Sequence, residues 1–453
     1  MKRRLFGTDG IRGEAGAYPL DEKTIFAAGV ALGRKAAKLA DAPEVLIGID
    51  TRESSTWIAS LVSGGLVHTG ARPRYAGLIT TPGVAYLTRT GPFTAGVMIS
   101  ASHNPYKDNG IKIFGHSGYK FPDSEELAIE QDMFALLGEG VTAVPETLTE
   151  DPGLDAGYVD FLAGTFPGSL DGIHIVVDCA HGSASHLAPE LFRRLGARVD
   201  AMACSPNGRN INLQVGALHV EALRQMVIDR GADLGVALDG DADRAMFVSH
   251  SGRIVNGDGI LLITARHLLE RSELSAASGE PMVVATVMSN LGLEKALERH
   301  GIRMLRTSVG DKYVIEEMLR RGAVLGGEQS GHIIFQRYAT TGDGMLTALR
   351  TMEAMQHAGA DLDQLTQELE VYPQRLVNIR VREKAPIEKI PVVAAEIRAA
   401  TEAFAGTGRI LVRYSGTEPL ARVMVEGADA TRVDLYAERI SDAIRRTIGS
   451  PGD

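Results

Sequence analysis

At 453 residues the chain is too long for one ordinary core and reads as three or four domains of ~100–150 residues. Its composition, 44% hydrophobic and 23% charged, is that of a globular protein and excludes long disorder. A formal net charge of −10 argues against nucleic acid or an anionic membrane as the main partner, so an anionic ligand needs a local cluster of Arg and Lys.

The N-terminal stretch is basic, but no apolar run stands behind it and none in the chain approaches the ~18 apolar residues of a membrane span. Two cysteines, Cys179 and Cys204, are too few for a disulfide framework or a thiolate metal cage. A cytoplasmic protein is expected. The first glycine-punctuated segment, Phe6 to Gly13, carries Arg12 in a flexible loop. An apolar run over 45–50 predicts a buried strand followed by a helical pattern. Gly70-Ala71-Arg72 then places a glycine where a left-handed helix end is easiest, just before a strand. The same arrangement recurs at Gly196-Ala197-Arg198 and Gly301-Ile302-Arg303 and suggests three related α/β units.

The run 95–99 ends in Ser100-Ala101-Ser102-His103-Asn104-Pro105, where a strand turning abruptly could present a side chain at the open edge of a sheet. A hydrolase nucleophile is one reading, yet Gly-x-Ser-x-Gly is missing and neighbours in sequence such as Ser102 and His103 rarely align as nucleophile and base. A turn rich in capping residues is equally compatible. Asn109-Gly110 predicts a tight turn into a strand over 111–114, which would bring Lys112 back beside Ser102. Composition shifts at 141–157 and 249–252 mark candidate boundaries, and 174–178 and 281–287 predict further buried strands.

After another apolar strand, Leu238-Asp239-Gly240-Asp241-Ala242-Asp243-Arg244 sets three carboxylates so close that they need solvent or a cation. Hard oxygen donors at this density suit Mg²⁺. A calcium EF-hand is excluded because its Gly and Glu positions hold Arg244 and His250. The segment Gly326 to His332 carries Glu328, Ser330 and His332, polar groups suited to sugar hydroxyls. Beyond about residue 361 the predicted order is strand (375–381), helix (392–404), two strands (409–413, 421–426) and helix (431–448), a small α+β domain. Its Arg413-Tyr414-Ser415-Gly416-Thr417-Glu418-Pro419 turn, with Arg422 beyond, is a candidate anion cradle or a tight turn with a structural salt bridge. The chain has no nucleotide phosphate loop, dinucleotide fingerprint or zinc-protease helix. A metal cage, a serine, an anion cradle and a polyol-reading loop together describe phosphoryl transfer on a sugar.

Taken in order, these motifs resemble the α-D-phosphohexomutase family over nearly the whole chain. The resemblance implies three related α/β domains with mixed sheets around a central cleft, plus a small C-terminal α+β domain, here bounded at 1–150, 151–250, 251–365 and 366–453. It implies that Ser102 carries a phosphoryl group and joins Asp239, Asp241 and Asp243 on Mg²⁺. Glu328 and Ser330 would read the sugar, and Arg413, Ser415, Gly416, Thr417 and Arg422 would hold the phosphate that does not react. Arg12 and Arg244 would stabilise the transferring group. Lys112, given a pKa lowered by neighbouring cations and burial, or His332 would handle the hydroxyl proton. Phe6 to Gly13, Gln329, Met288 to Glu294 and Val309 to Val314 look like the glucosamine branch. That implies a hexosamine phosphate substrate, a glucosamine 1,6-bisphosphate intermediate and activator, and a role in supplying UDP-N-acetylglucosamine and cell-wall precursors. A homodimer is compatible with it. Tyr414 and Ala421 depart from the usual residues without removing a phosphate ligand.

Overall fold

A computed structural model describes residues 4–7, 9–151, 153–415 and 419–450. The chain divides into two compact units, residues 1–288 with 302–367, and residues 289–301 with 368–453. Among the described residues no helix is long and apolar enough to cross a membrane.

The first unit holds three mixed sheets. β1 (Ile11–Glu14), β2 (Glu44–Ile49), β3 (Arg72–Leu78), β4 (Ala95–Ile99) and β5 (Asp108–Gly115) lie in the order β1-β5-β4-β2-β3. β6 (His174–Asp178), β7 (Arg198–Met202), β8 (Leu234–Leu238), β9 (Ala245–Ser249) and β10 (Ile254–Val255) follow as β10-β9-β8-β6-β7. β11 (Met282–Thr286), β12 (Arg303–Thr307), β13 (Leu325–Gly327) and β14 (Ile333–Phe335) are ordered β12-β11-β13-β14.

One plan generates all three. A central strand (β2, β6, β11) pairs in parallel with the next strand on one side and the third on the other, and a fourth strand returns antiparallel to the third. Gly70, Gly196 and Gly301, at φ 83°, 101° and 69°, stand just before β3, β7 and β12, as their recurrence predicts. β4, β6, β8 and β11 are buried at every residue, which is why they read as continuous apolar runs. Functional loops occupy equivalent places. The serine turn, the aspartate loop and the Glu328 loop each follow the C-terminal end of the third strand, β4, β8 and β13.

Two details differ from expectation. Asn109 and Gly110 lie inside β5, opposite Gly13 and Arg12 of β1, and the turn comes earlier, where Asp108 N–H donates to the Pro105 carbonyl. The buried Asn109 amide is satisfied by the hydroxyls of Ser54 and Ser55, so its turn preference is overridden. The second sheet also continues past residue 250, since β10 pairs with β9.

The second unit is an antiparallel sheet of β15 (Gln374–Arg380), β16 (Gly408–Tyr414) and β17 (Leu420–Gly427) in the order β15-β17-β16, with helices Pro391–Phe404 and Ala430–Ile448. Val393, Phe404, Val423, Val425, Ile440 and Ile444 form its core. The helix Leu291–Arg299 belongs to this unit through Asn290, which exchanges two hydrogen bonds with the Tyr372 backbone at 3.0 and 2.9 Å. The fold is the α/β assembly with a small C-terminal α+β domain that the sequence implies.

Candidate active site

Beyond Ile99 the chain turns through Ser102, whose φ of 53° is costly for a residue with a Cβ and persists only where neighbours fix it. They do so at several points. Ser102 N–H donates to Ser100 Oγ at 2.9 Å, and its carbonyl accepts from Arg52 Nη2 at 3.0 Å and Asn212 Nδ2 at 2.9 Å. The hydroxyl, on a side chain 1% exposed, donates to Asp239 Oδ2 at 2.5 Å and lies 3.1 Å from His103 Nδ1. Burial, then Arg244 and Arg12, lowers the His103 pKa to about 4, so its ring is neutral. The adjacent serine and histidine approach each other, but the hydroxyl proton goes to Asp239, so they do not align as nucleophile and base.

Asp239, Asp241 and Asp243 each offer one carboxylate oxygen, and these oxygens lie within 4.8 Å of one another. All three residues are buried. Gly240 permits the approach, since a Cβ there would stand 2.5 Å from the Ser102 carbonyl oxygen. Asp241 Oδ2 accepts from the Thr81 hydroxyl and from Lys112 Nζ at 2.8 Å, and the Thr81 N–H reaches the Asp241 carbonyl at 3.0 Å. Asp241 Oδ1 and Asp243 Oδ1 are buried with no hydrogen-bond partner among the described residues. Burial, followed by Asp243 and Asp241, pushes the Asp239 carboxyl well above its ordinary range. Orphaned hard oxygens whose charges oppose one another fit a metal cofactor.

Lys112 Nζ also lies 3.3 Å from Asp243 Oδ2 and 3.1 Å from Asp9 Oδ2. Here the expectation of a lowered pKa fails. Burial acts in that direction, but Asp241, Asp9 and Asp243 outweigh it and hold the side chain as an ammonium. Asp9 pairs with Arg12 and Lys120 as well, and Lys120 Nζ reaches Asp311 Oδ2 at 2.5 Å. Arg12 Nη1 donates to the Ala101 carbonyl at 3.1 Å, next to Ser102. Arg244 N–H donates to Asp239 Oδ1 at 3.2 Å, while its buried Nε, 3.7 Å from Asp243 Oδ1, has no hydrogen-bond partner among the described residues and is a donor suited to a phosphate oxygen.

The third sheet closes on the aspartate loop through Gly344 N–H to the Ala242 carbonyl at 2.9 Å and Ala245 N–H to the Gly331 carbonyl at 3.1 Å. Glu328 is 8% exposed, accepts from Gly310 N–H at 3.1 Å, and is raised in pKa chiefly by burial. Ser330 is half-buried on the same loop. His332 Nδ1 lies 3.6 Å from Asp243 Oδ1, and its Nε2 accepts from Gly342 N–H at 2.9 Å. Nearby carboxylates favour an imidazolium, yet a backbone donor aimed at Nε2 requires a lone pair there. The ring is therefore the neutral Nδ1–H tautomer, turned toward Asp243.

In the second unit Arg413 and Arg422 stand directly opposite each other on β16 and β17. Like charges in that register are destabilising on their own, and an anion between them removes the conflict. Lys384 Nζ donates to the Ser415 carbonyl at 2.6 Å, adding a third cation. Tyr414 turns away to donate to the Ala385 carbonyl at 2.5 Å. Gly416 and Thr417 lie outside the described residues.

Ser102, Lys112, Arg12, Arg244, His332, Glu328 and the three aspartates are thus brought together in the first unit. Sequence reasoning missed Asp9, Thr81, Lys120 and Asp311, although Asp9 lies inside the glycine-punctuated segment that drew attention to Arg12.

Profiles described as phosphoglucomutase/phosphomannomutase α/β/α domains I, II and III match residues 3–137, 156–252 and 256–372, and the C-terminal domain of that family matches 376–443. A phosphoglucosamine mutase of Solibacter usitatus is 60% identical over 99% of this chain and 100% of its own length. Another, of Koribacter versatilis, is 48% identical over 99% and 98%. A phosphoglucomutase/phosphomannomutase family protein of Burkholderia thailandensis shares the fold at TM-score 0.81 and 22% identity, covering 99% of this chain and 98% of that one. An Aspergillus fumigatus N-acetylphosphoglucosamine mutase, solved with GlcNAc-6P and magnesium, does so at TM-score 0.63 and 18% identity, covering 98% and 96%. The chain belongs to the phosphoglucomutase/phosphomannomutase family, among its phosphoglucosamine mutases.

Proposed function

We propose that the chain interconverts glucosamine 6-phosphate and glucosamine 1-phosphate through a phosphoserine at Ser102 and a glucosamine 1,6-bisphosphate intermediate. The observation that carries this is the buried Ser102 hydroxyl, 2.5 Å from Asp239 in a cluster of aspartates with orphaned oxygens. The sugar is supported by the full-length identity to phosphoglucosamine mutases. Such a reaction feeds UDP-N-acetylglucosamine and cell-wall precursor synthesis.

Asp239, Asp241 and Asp243, with an oxygen of phosphorylated Ser102, would hold Mg²⁺, supported by the hard oxygen donors and by the magnesium of the Aspergillus enzyme. Bound there, the cation offsets negative charge on the phosphoryl oxygens. The bond from phosphorus to Ser102 Oγ breaks as one forms to the sugar hydroxyl oxygen, and the hydroxyl proton is delivered to Oγ. Lys112, held as an ammonium, enters as the acid that protonates departing Oγ and recovers a proton from the sugar hydroxyl. Arg12 and Arg244 stabilise the group in flight. His332 supports Asp243 rather than carrying a proton, and Glu328 and Ser330 accept the sugar hydroxyls.

Arg413, Ser415, Gly416, Thr417 and Arg422 grip the other phosphate, so the bisphosphate can turn and present either end. The same bisphosphate rephosphorylates Ser102 and so acts as an activator. Blocks 1–150, 151–250, 251–365 and 366–453 supply the serine, metal, sugar and phosphate loops in turn. The free thiols of Cys179 and Cys204 suit a cytoplasmic enzyme, and a homodimer is the proposed assembly, read by sedimentation. The test is Ser102→Ala: conversion of glucosamine 6-phosphate falls at least about 10³-fold and the intact mass loses its phosphoryl increment. Undiminished conversion overturns the scheme.

A further inference from the structure

Transfer chemistry leaves one carboxylate of the cluster without a task. Glucosamine phosphates carry a primary amine at C2 that is largely protonated near neutral pH. An ammonium drawn into a closed site needs an anionic partner. Asp239, Asp241 and Asp243 are given to the metal, and Asp9 is surrounded by Arg12, Lys112 and Lys120. Glu328 reads hydroxyls and already accepts from Gly310 N–H.

Asp311 is different. It opens the helix Asp311–Arg321 with its side chain 15% exposed, and the lysine that pairs with it, Lys120, is shared with Asp9. His332 Nε2, 3.9 Å away, is taken up by the Gly342 N–H at 2.9 Å. One ammonium therefore serves two carboxylates on this side of the site. Asp311 also follows Gly310, whose N–H donates to Glu328 Oε1 at 3.1 Å, so the segment that carries Asp311 is tied to the Glu328 loop. We propose that Asp311 seats the 2-ammonium group of the substrate and selects amino-sugar phosphates over neutral hexose phosphates, an assignment that rests on the mutase reading above.

The test compares wild type and Asp311→Asn, both phosphorylated and Mg²⁺-loaded, for the KM and kcat of glucosamine 6-phosphate and for competitive inhibition by glucose 6-phosphate. A lost charge-assisted contact is expected to raise the glucosamine 6-phosphate KM roughly 10–100-fold while kcat changes less. The glucose 6-phosphate inhibition constant stays within about twofold. Parallel weakening of both ligands, or of neither, overturns the role of Asp311. A second readout needs no variant: in the wild type the preference for the amino sugar collapses by about pH 9, where the amine is neutral. Preference that persists there also overturns it. Absence of glucosamine 6-phosphate turnover by the wild type overturns the mutase reading itself, which separates the two failures.

Discussion

At the scale of single residues, the charge balance of the site turns on Lys112. Its side chain is fully buried against Asp241, Asp243 and Asp9, so removing the ammonium strands buried negative charge. Lys112→Met is expected to destabilise the metal-free protein by about 3–5 kcal/mol. With Mg²⁺ bound the loss shrinks, because a divalent cation compensates the same carboxylates. Urea melts with and without chelator measure both values, and an equal loss in the two would show that these carboxylates are not the metal's. The sequence makes Lys112 a candidate but cannot supply its neighbours, which lie 129 and 131 residues away at Asp241 and Asp243. That separation is why the direction of its pKa was misjudged. The pairing of Lys120 with Asp9 and Asp311, across 111 and 191 residues, was invisible for the same reason.

Elements bring these residues together through close backbone approach. At Gly240 a Cβ would meet the Ser102 carbonyl at 2.5 Å and Asn212 Nδ2 at 2.9 Å, so Gly240→Ala must part the serine turn from the aspartate loop. We expect a loss of roughly 10²-fold in kcat for a stability cost of only about 1–3 kcal/mol. Wild-type kcat in the variant would mean that the approach of the two loops is incidental. Central strands such as β4 and β8 were legible because both faces are buried. β1 and the two-residue β10 were not, being short edge strands with exposed or polar positions. Helix caps add a pH dependence. Asp343 caps the helix Gly344–Ala358 through Leu346 N–H at 3.0 Å and accepts from Tyr158 Oη at 2.6 Å, and burial raises its pKa to about 6. A carboxyl raised from 3.8 on folding holds its proton longer in the native state, so its contribution is full below pH 3.8 and lost as pH rises through about 6. The shift corresponds to about 3 kcal/mol. Asp343→Asn is expected to remove that much of the decline in stability between pH 4 and pH 7; an unchanged slope in pH-resolved denaturation would assign the decline elsewhere.

For the whole molecule, the repeated sheet plan has a thermodynamic consequence. Ser102 follows a strand of the first sheet, the aspartates follow one of the second, and Glu328 follows one of the third, with Lys112, Thr81, Gly344 and Gly331 bonding across them. Recurrent glycines and apolar runs made the three-fold plan readable. The assignment of residues 289–301 to the second compact unit was not, because it depends on Asn290 meeting Tyr372, 82 residues further on. A cation held by the aspartates binds only the folded first unit and must stabilise it by linkage, by about 2.7 kcal/mol at 100 times Kd. The second unit contains none of these carboxylates. Calorimetry is therefore expected to resolve a transition that rises with Mg²⁺ and one that does not. In Asp241→Asn the rise disappears while the other transition keeps its place. Movement of both transitions, or a shift that survives Asp241→Asn, would locate the stabilising ion outside the aspartate loop and remove the thermodynamic link between the metal site and the three-sheet unit.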